Sequence, residues 1–588
     1  MFNRSTHTTQ QNTILLYIKI KHLAKEKKFF LLLIAFVTFF AVIPLLSINI
    51  CGHDTQFHLS RIESLAQEIK MSNYFPRIYS TDISGNGYAT PLFYGDLLLL
   101  IPAFLYAFFG IDIYISLQLF MVFIVFAVSI SMYLCTYKIT DSKYASFCSA
   151  ILFTLSSYFC TDIFTRSAIG EAQAFIFLPI TFLGFYTIIY KECENWYLLP
   201  IGLAFMIHGH LLSSVMTVFV LSCFLIFSAK TLIKNPKKTI YLLLSILVFL
   251  GLSIDFILPL AEQLHSSNFF ASSDYMMSDL YNEAMPIWNI FFDFTIFTNY
   301  YRYTRFTPNG ISIAIILLIV YIFFYRKVKD KSMTQSLIIS ILLLIMSTKL
   351  FPWKIFNSLL GVIQLPWRLL TFSTFLISFS AGIYFCNIGK NKTSKILMAC
   401  IIAASLFSYC INLVPSFTQH NKFTGSKITY DYKNDYNADY LPISDNNTKK
   451  TQPYRDELVN MSNVINCSNP EITTNFTRNN RILTVNFKNN TGNDTTIEVP
   501  ILMYKGYTAK LNDGTYLECD YGQYNRIKVS INDIPEGTFT VEYTGTKIQH
   551  ISRTISIASS LLITIYIVVI NFRNRHNLCT KTTLNGSE

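Results

Sequence analysis

The fold class is decided by the apolar run FFLLLIAFVTFFAVIPLLSINI, which extends from Phe29 to Ile50. As a helix, a run of this length crosses about 30 Å of hydrocarbon. The lysines that precede it, between Lys19 and Lys28, give it the look of a signal peptide. No small-residue cleavage site follows, however. We therefore predict an uncleaved first membrane helix.

Runs of the same kind recur along almost the whole chain of 588 residues, which is 52% hydrophobic and 15% aromatic. The mean hydropathy of +0.38 is far above that of a soluble protein. The runs are too long for barrel strands and do not alternate, so the spans should be helices. We expect a polytopic α-helical membrane protein with about twelve transmembrane helices, together with a small extracytoplasmic β-rich domain.

The net charge of +12 comes from basic residues that cluster between spans, as in AKTLIKNPKK at 229–238. This is the positive-inside pattern, so it indicates membrane topology and no nucleic-acid partner. It predicts a multi-pass protein of the cell membrane with both termini in the cytoplasm. The predicted spans are 29–50, 113–137, 144–160, 172–190, 196–212, 213–229, 239–260, 310–325, 333–348, 367–388, 396–414 and 552–572.

Hydropathy falls sharply after residue 414, where polar strand patterns replace the apolar runs. RILTVNFK at 481–488 alternates with a period of two, and Asn512–Gly514 is a hairpin turn signal. A disulfide between Cys467 and Cys519 is left open. The predicted domains are a cytoplasmic segment 1–28, a transmembrane domain 29–414 with first outer loop 51–112, an extracytoplasmic β-sandwich-like domain 415–550, a last span 551–572 and a cytoplasmic tail 573–588.

Ionisable and polar residues of the predicted membrane region converge on the outer ends of the helices. A charge near hydrocarbon costs at least a few kcal/mol, so each is a functional candidate by default. The candidates are His53, Asp54, His58, Arg61, Asp162, Arg166, Glu171, His208, His210, Glu262, Gln263, Trp367 and Arg368.

Plainer interpretations exist for several of them. Charges at span ends are often topological anchors, and Asp162 with Arg166 has the spacing of an i, i+4 ion pair. His208 and His210 lie two positions apart, hence on opposite helix faces, so chelation by both is not expected. Asp54 is hardest to explain as an anchor, because residues 58 and 61 share its face at spacings of four and three.

Several segments in this order resemble the YfhO-like bacterial multi-pass membrane proteins. That family includes proteins described as 6-pyruvoyl-tetrahydropterin synthase-related, and through it the chain is similar to the GT-C class of glycosyltransferases. No pterin chemistry is carried over. The segments are GHDTQFHLSRI (52–62), PLFYGDLLLLIPAFLYAFFG (91–110), RSAIGEAQAFIFLPI (166–180), HGHLLS (208–213), LPLAEQ (258–263), IQLPWRLL (363–370) and NADYLP (437–442).

The resemblance implies a catalytic acidic residue in the first outer loop, which maps to Asp54. It also implies a polyprenyl-phosphate-linked sugar donor, used at the outer membrane face. His53 stands where a second acidic residue is expected, so metal dependence stays open. No cofactor is predicted with certainty, and a divalent metal ion is left open.

The expected function is transfer of a sugar from that donor to an envelope glycolipid or wall polymer, in contact with membrane lipid. Asp54 would be the general base. Arg166 and Arg368, with Arg61 third, would hold the donor phosphate. His58 and Glu171 would orient sugar and acceptor. The alternatives are a transporter, or a non-catalytic envelope-assembly protein of the same fold.

Overall fold

In this computed structural model the chain is described at residues 28–46, 52–272, 279–290, 319, 328–388, 392–423, 438–443, 451–490 and 494–584. The helices are numbered in chain order. They are α1 (Lys28–Leu46), α2 (Thr55–Lys70), α3 (Leu100–Phe109), α4 (Ile113–Thr140), α5 (Lys143–Thr154), α6 (Ser157–Arg166), α7 (Ile169–Tyr190), α8 (Leu198–Ile207), α9 (Leu211–Lys234), α10 (Pro236–Ser266), α11 (Lys331–Met346), α12 (Trp353–Leu360), α13 (Leu370–Ile388), α14 (Lys392–Phe423), α15 (Thr451–Asn460) and α16 (Lys547–Leu584).

Within the described residues, eight helices are long and apolar enough to cross a membrane, and a ninth span results if α5 and α6 count as one. The predicted class of polytopic helical membrane protein is therefore confirmed, whereas the predicted number of about twelve spans is not. Two predicted spans, 196–212 and 333–348, form the shorter helices α8 and α11. The predicted span 310–325 lies outside the described residues except for Ile319.

Side-chain caps explain where several helices begin. Asp112 accepts hydrogen bonds from the backbone N–H groups of Tyr114 (2.9 Å) and Ile115 (3.2 Å) at the start of α4. Asp330 does the same for Met333 at the start of α11 (2.9 Å). Such caps satisfy N–H groups that have no partner inside the helix.

The α5–α6 pair is bent by 47°. The second half of α6, Thr161–Arg166, is a π-helical turn, and it ends where Ser167 takes a left-handed conformation with φ 53°. Turns of this kind are rare and frequently occur at functional sites. This turn carries Asp162 and Arg166, and so it positions part of the candidate site.

The small domain contains nine strands: β1 (Asn466–Cys467), β2 (Ile472–Asn479), β3 (Ile482–Asn489), β4 (Thr495–Leu502), β5 (Tyr507–Leu511), β6 (Tyr516–Leu517), β7 (Cys519–Tyr521), β8 (Arg526–Ile531) and β9 (Glu536–Tyr543). They form two antiparallel sheets, ordered β1-β4-β8-β7 and β2-β3-β9-β5-β6. Alternating residues of both sheets form one buried core. The predicted strand pattern and the hairpin after residue 511 are both present, and Cys467 and Cys519 are free cysteines.

The β-sheet domain packs on the helical domain through the segment 71–99, which joins α2 to α3. Phe93 of this segment stacks on Tyr440 with ring centroids 5.0 Å apart, and Asn86 Nδ2 donates to the carbonyl oxygen of Leu458 (2.9 Å). Arg478 of β2 donates to the carbonyl oxygen of Gly85. The same segment reaches the residues around Asp54, so it connects the β-sheet domain to the candidate site.

Candidate active site

Asp54 immediately precedes α2 and is held by its backbone against the end of α6. Its N–H donates to the carbonyl oxygen of Arg166 (2.8 Å), and the N–H of His53 donates to that of Thr165 (3.3 Å). The start of α2 thus satisfies carbonyl groups that the end of α6 leaves without helical partners. Gly52 permits this contact, because a Cβ at that position would lie 2.6 Å from the backbone carbon of Arg166.

Beside Asp54 lies a buried ionic cluster, which we call the Arg166 cluster. Arg166 Nη1 donates to Asp162 Oδ1 (2.5 Å) and to Glu171 Oε2 (2.8 Å). Tyr158 donates through its hydroxyl to Glu171 Oε1 (2.5 Å). The members of the cluster are Tyr158, Asp162, Arg166, Glu171, Trp367 and Arg368.

Trp367 and Arg368, which lie just before the start of α13, complete the cluster. The Arg166 guanidinium lies 4.6 Å from the centre of the Trp367 ring, a cation–π distance. Arg368 approaches Glu171 Oε2 through Nε (3.4 Å), and its Nη1 donates to the neutral amide of Gln364 (2.9 Å). Arg166 is therefore bound by two carboxylates and Arg368 by one, so Arg368 is the less engaged of the two cations.

The carboxylate of Asp54 is half-buried and makes no capping hydrogen bond to α2. Burial raises the pKa of this carboxyl above its usual range, while the nearby charge of Arg166, followed by those of His53 and Arg368, opposes the rise. Asp54 thus lies within electrostatic reach of both guanidinium groups, those of Arg166 and Arg368. A partly desolvated carboxylate beside two fixed cations is suited to accept a proton while an anion is held close by.

His58 and His210 are more deeply buried than Asp54, and both lie within electrostatic reach of Arg61. Burial, then the charges of Arg61 and His210, lower the pKa of His58 well below its usual value, which favours a neutral imidazole at pH 7. Its Nδ1 is buried without a hydrogen-bond partner among the described residues. His210 caps α9 by accepting a hydrogen bond at Nδ1 from the backbone N–H of Ser213 (3.3 Å). The Ser213 hydroxyl lies 2.7 Å from the same nitrogen, and the His210 ring lies 5.8 Å from that of Tyr94.

Arg61 is engaged elsewhere. It pairs with Asp96, donates to the carbonyl oxygen of Gly95 (2.9 Å) and lies 4.2 Å from the centre of the Tyr94 ring. Tyr79 also donates to Asp96 (2.5 Å). The positive charge of Arg61 is thus already balanced by Asp96. The predicted contact between Arg61 and a donor phosphate stays a prediction.

Three further candidates lie apart from the Arg166 cluster. His208 Nε2 contacts Asp255 Oδ1 of α10 (3.2 Å). Glu262 lies 3.6 Å from Lys505 Nζ, and Gln263 exchanges two hydrogen bonds with the backbone of Lys505 (2.6 and 3.2 Å). Glu262 and Gln263 therefore attach the β-sheet domain to α10.

Two aromatic residues of the site, Tyr158 and Tyr94, are not among the candidates predicted from the sequence. Tyr158 precedes Asp162 and Arg166 at successive spacings of four, a signal that was available. Tyr94 packs so closely against α7 that a Cβ on Gly170 would overlap its hydroxyl. Nothing in the sequence near Tyr94 indicates its contact with Gly170.

Groups of three or more His, Cys, Asp or Glu that could hold a metal ion are not found in the described part of the chain. The charged groups that act on the Asp54 carboxylate are Arg166, the exposed His53 and Arg368, which favour its ionised form, and Glu171, which opposes it.

Comparison with known proteins gives limited likeness. No family model matches the chain. An uncharacterized protein of Lactococcus lactis subsp. cremoris (strain MG1363) is 28% identical over 346 residues, which are 55% of this chain and 54% of that protein. The chain thus spans about half the length of the curated relative it matches.

Among solved structures, the chain is similar to the arabinofuranosyltransferase AftD from mycobacteria. The match has 14% identity and a TM-score of 0.43, and it covers 66% of this chain and 27% of that one. A likeness this weak assigns no residue and no substrate.

Proposed function

We propose that this protein is a membrane glycosyltransferase of the GT-C kind. It transfers a sugar from a polyprenyl-phosphate-linked donor to a glycolipid or wall polymer at the outer face of the cell membrane. The observation that carries the proposal is the placement of Asp54, whose carboxylate caps no helix and is held by its own backbone near the guanidinium groups of Arg166 and Arg368. The family resemblance of the sequence motifs points to the same residue.

In this reaction Asp54 takes the proton of the acceptor hydroxyl as that oxygen attacks the anomeric carbon. A positioned base contributes about 10²- to 10⁴-fold to such a step. Burial, which raises the pKa of Asp54, makes the ionised carboxylate a stronger base than a free aspartate. The absence of a capping bond leaves its oxygens available to the acceptor.

Arg368 is the cation we assign to the leaving lipid phosphate. Bond breaking at the anomeric carbon leaves negative charge on that phosphate, and a guanidinium fork stabilises it. Arg368 contacts one carboxylate and one neutral amide, whereas Arg166 contacts two carboxylates, so the charge of Arg368 is the less compensated of the two. Arg166 instead acts as a positioning residue, because its carbonyl oxygen holds Asp54 and its side chain holds Asp162 and Glu171.

One observation favours the alternative of a non-catalytic envelope-assembly protein. The two guanidinium groups of the site face three carboxylates, those of Asp54, Asp162 and Glu171, so the cluster can be stable without a bound anion. In that case the Arg166 cluster would serve only to hold helices together. A neutral residue at position 54 distinguishes the two functions, because only a glycosyltransferase needs the Asp54 carboxylate as a base.

The deciding experiment compares Asp54→Asn with Asp112→Asn in purified full-length protein reconstituted in lipid. Both residues precede helices, but only Asp112 caps one with its side chain. Sugar transfer is measured from polyprenyl-phosphate sugars to envelope acceptors. We expect Asp54→Asn to fold normally and lose about 10²-fold or more in turnover, while Asp112→Asn keeps parental turnover. Parental turnover in Asp54→Asn would remove Asp54 as the base.

A further inference from the structure

A groove of about 600 Å³ runs between α3, α8, α10 and α16. Its walls are mainly apolar. Representative lining residues are Leu100, Phe205, Leu252 and Leu561, one from each helix.

One end of the groove is charged. Arg77 and Arg553 line it there, together with Asp255 and His208. Arg77 lies 3.9 Å from Asp255, which is also bound by His208. Arg553 forms no ion pair with any described residue, and it contacts the Phe75 ring at 5.9 Å. The charged end therefore carries more positive than negative charge.

A second, polar pocket of about 140 Å³ adjoins this end, where α16 meets the β-sheet domain. It shares Arg77 and Arg553 with the groove and adds Arg481, Gln549 and His550. Burial lowers the pKa of Arg77, and the charge of Arg553 lowers it further, against the opposing effects of Asp255 and Tyr543. Two like charges are thus held near each other, an arrangement that a bound anion relieves.

The groove follows the direction of the spans. Along α16 its lining runs from Arg553 to Ile567, a distance of about 21 Å at 1.5 Å per residue. One leaflet of hydrocarbon is about 15 Å thick. These lengths are compatible with a charged end at headgroup level and an apolar length within the acyl region of a single leaflet.

This groove is separate from the candidate active site. Gly95 and Asp96 line it, but Asp54, Arg166 and Arg368 do not. The adjacent Tyr94 packs on the other side, against His210, and both Tyr94 and Asp96 contact Arg61. One short segment thus divides the groove from the residues around Asp54.

We propose that this groove is a binding site for a diacyl anionic phospholipid of the surrounding bilayer. The phosphate lies between Arg77 and Arg553, the headgroup hydroxyls enter the polar pocket, and the acyl chains lie along α16. Arginine at headgroup level attracts anionic lipid, at about 1 kcal/mol for each basic residue. Such a lipid would bridge the β-sheet domain and α16 without taking part in the reaction.

The test measures lipid bound to purified full-length protein by native mass spectrometry. The probes are phosphatidylglycerol and phosphatidylcholine with identical acyl chains, and glycerol phosphate as the free headgroup. The variants are Arg553→Ala, Arg77→Ala and Ser560→Phe, the last of which fills the apolar part without changing a charge. Lys488→Ala, which removes an exposed charge of the β-sheet domain away from the groove, is the matched control.

We expect phosphatidylglycerol to bind better than phosphatidylcholine, and each arginine variant to weaken its binding about fivefold. Ser560→Phe should weaken it as well, whereas Lys488→Ala should not. Equal binding of the two lipids, or full binding in all three groove variants, would overturn the proposal. So would tight binding of glycerol phosphate alone, which would indicate a soluble anion, or displacement of the diacyl lipid by polyprenyl phosphate, which would indicate a donor site.

Discussion

The backbone N–H of Asp54 donates a 2.8 Å hydrogen bond to the carbonyl oxygen of Arg166. This bond ties the residue before α2 to the last residue of the π-helical turn in α6. The position of the Asp54 carboxylate therefore depends on backbone packing as well as on its own side chain. Changes that separate these two backbones should affect turnover before they affect folding.

Gly52→Ala tests that dependence. The added Cβ would meet the backbone of Arg166 and Ser167, so the two segments must move apart. We expect turnover to fall by about 10²-fold, the size of effect that a shift of about 1 Å in catalytic geometry produces. Gly361→Ala is the control, because a Cβ there has no atom within 4 Å. Equal turnover in both variants, measured per folded molecule, would mean that the Gly52 contact does not position Asp54.

The pH dependence of sugar transfer should report Asp54. A base must be ionised, and burial raises the pKa of this carboxyl in the folded protein. Activity should therefore be complete above that pKa and decline as pH falls through it, with a midpoint above about 3.9, the value for a free aspartate. The measurement is kcat/KM against pH for the parent and for Asp54→Glu. An acid limb at the same pH in both proteins would assign it to another group.

Substitutions of the two arginines should have different effects. Arg166→Ala leaves Asp162 and Glu171 as buried carboxylates without their main cation, so we expect a loss of about 3 to 5 kcal/mol in stability. Arg368→Ala should leave the thermal unfolding midpoint nearly unchanged and lower kcat by about 10²- to 10³-fold. Arg368→Lys should recover part of that loss. Parental kcat in Arg368→Ala would exclude it as a phosphate contact.

Gln263→Ala should loosen the β-sheet domain. The Gln263 side chain is fully buried and makes two hydrogen bonds to the backbone of Lys505, and loss of such buried bonds costs about 1 to 3 kcal/mol. Amide exchange in strand β5 should therefore become faster. Gln523→Ala, at an exposed position of the same domain, should leave it unchanged. Similar exchange in both variants would show that other contacts hold the domain in place.

Cysteine labelling can test the predicted orientation at one position on each side of the membrane. Lys237 lies in the first turn of α10, within the basic stretch 229–238, and Asp513 lies in the β5–β6 turn. We expect a single cysteine at 237, in a cysteine-free background, to react only after the membrane is opened. A cysteine at 513 should react in intact cells. Labelling of both from the same side would contradict the charge-based orientation.

Much of the architecture could be predicted because its signals are local. A continuous apolar run specifies a spanning helix wherever it occurs, and α1, α4 and α7 lie close to the predicted 29–50, 113–137 and 172–190. Alternation with a period of two predicted β3 in the same way. The number of spans could not be predicted from hydropathy alone. The short helix α8 and the bent pair α5–α6 are as apolar as full spans, but α8 is shorter than a span and the pair is not straight.

The sequence by itself determined that this is a helical membrane protein with a β-sheet domain, and it singled out the residues that carry charge near the hydrocarbon. The sequence also predicted the i, i+4 pairing of Asp162 and Arg166. Only the tertiary structure decided which distant partner each charge meets: Glu171 shares Arg166, Asp96 takes Arg61 and Lys505 meets Glu262. The physical reason is that spacing along a helix sets only which residues share a face, whereas a buried charge must be paired by whatever group the packing of other segments brings to it.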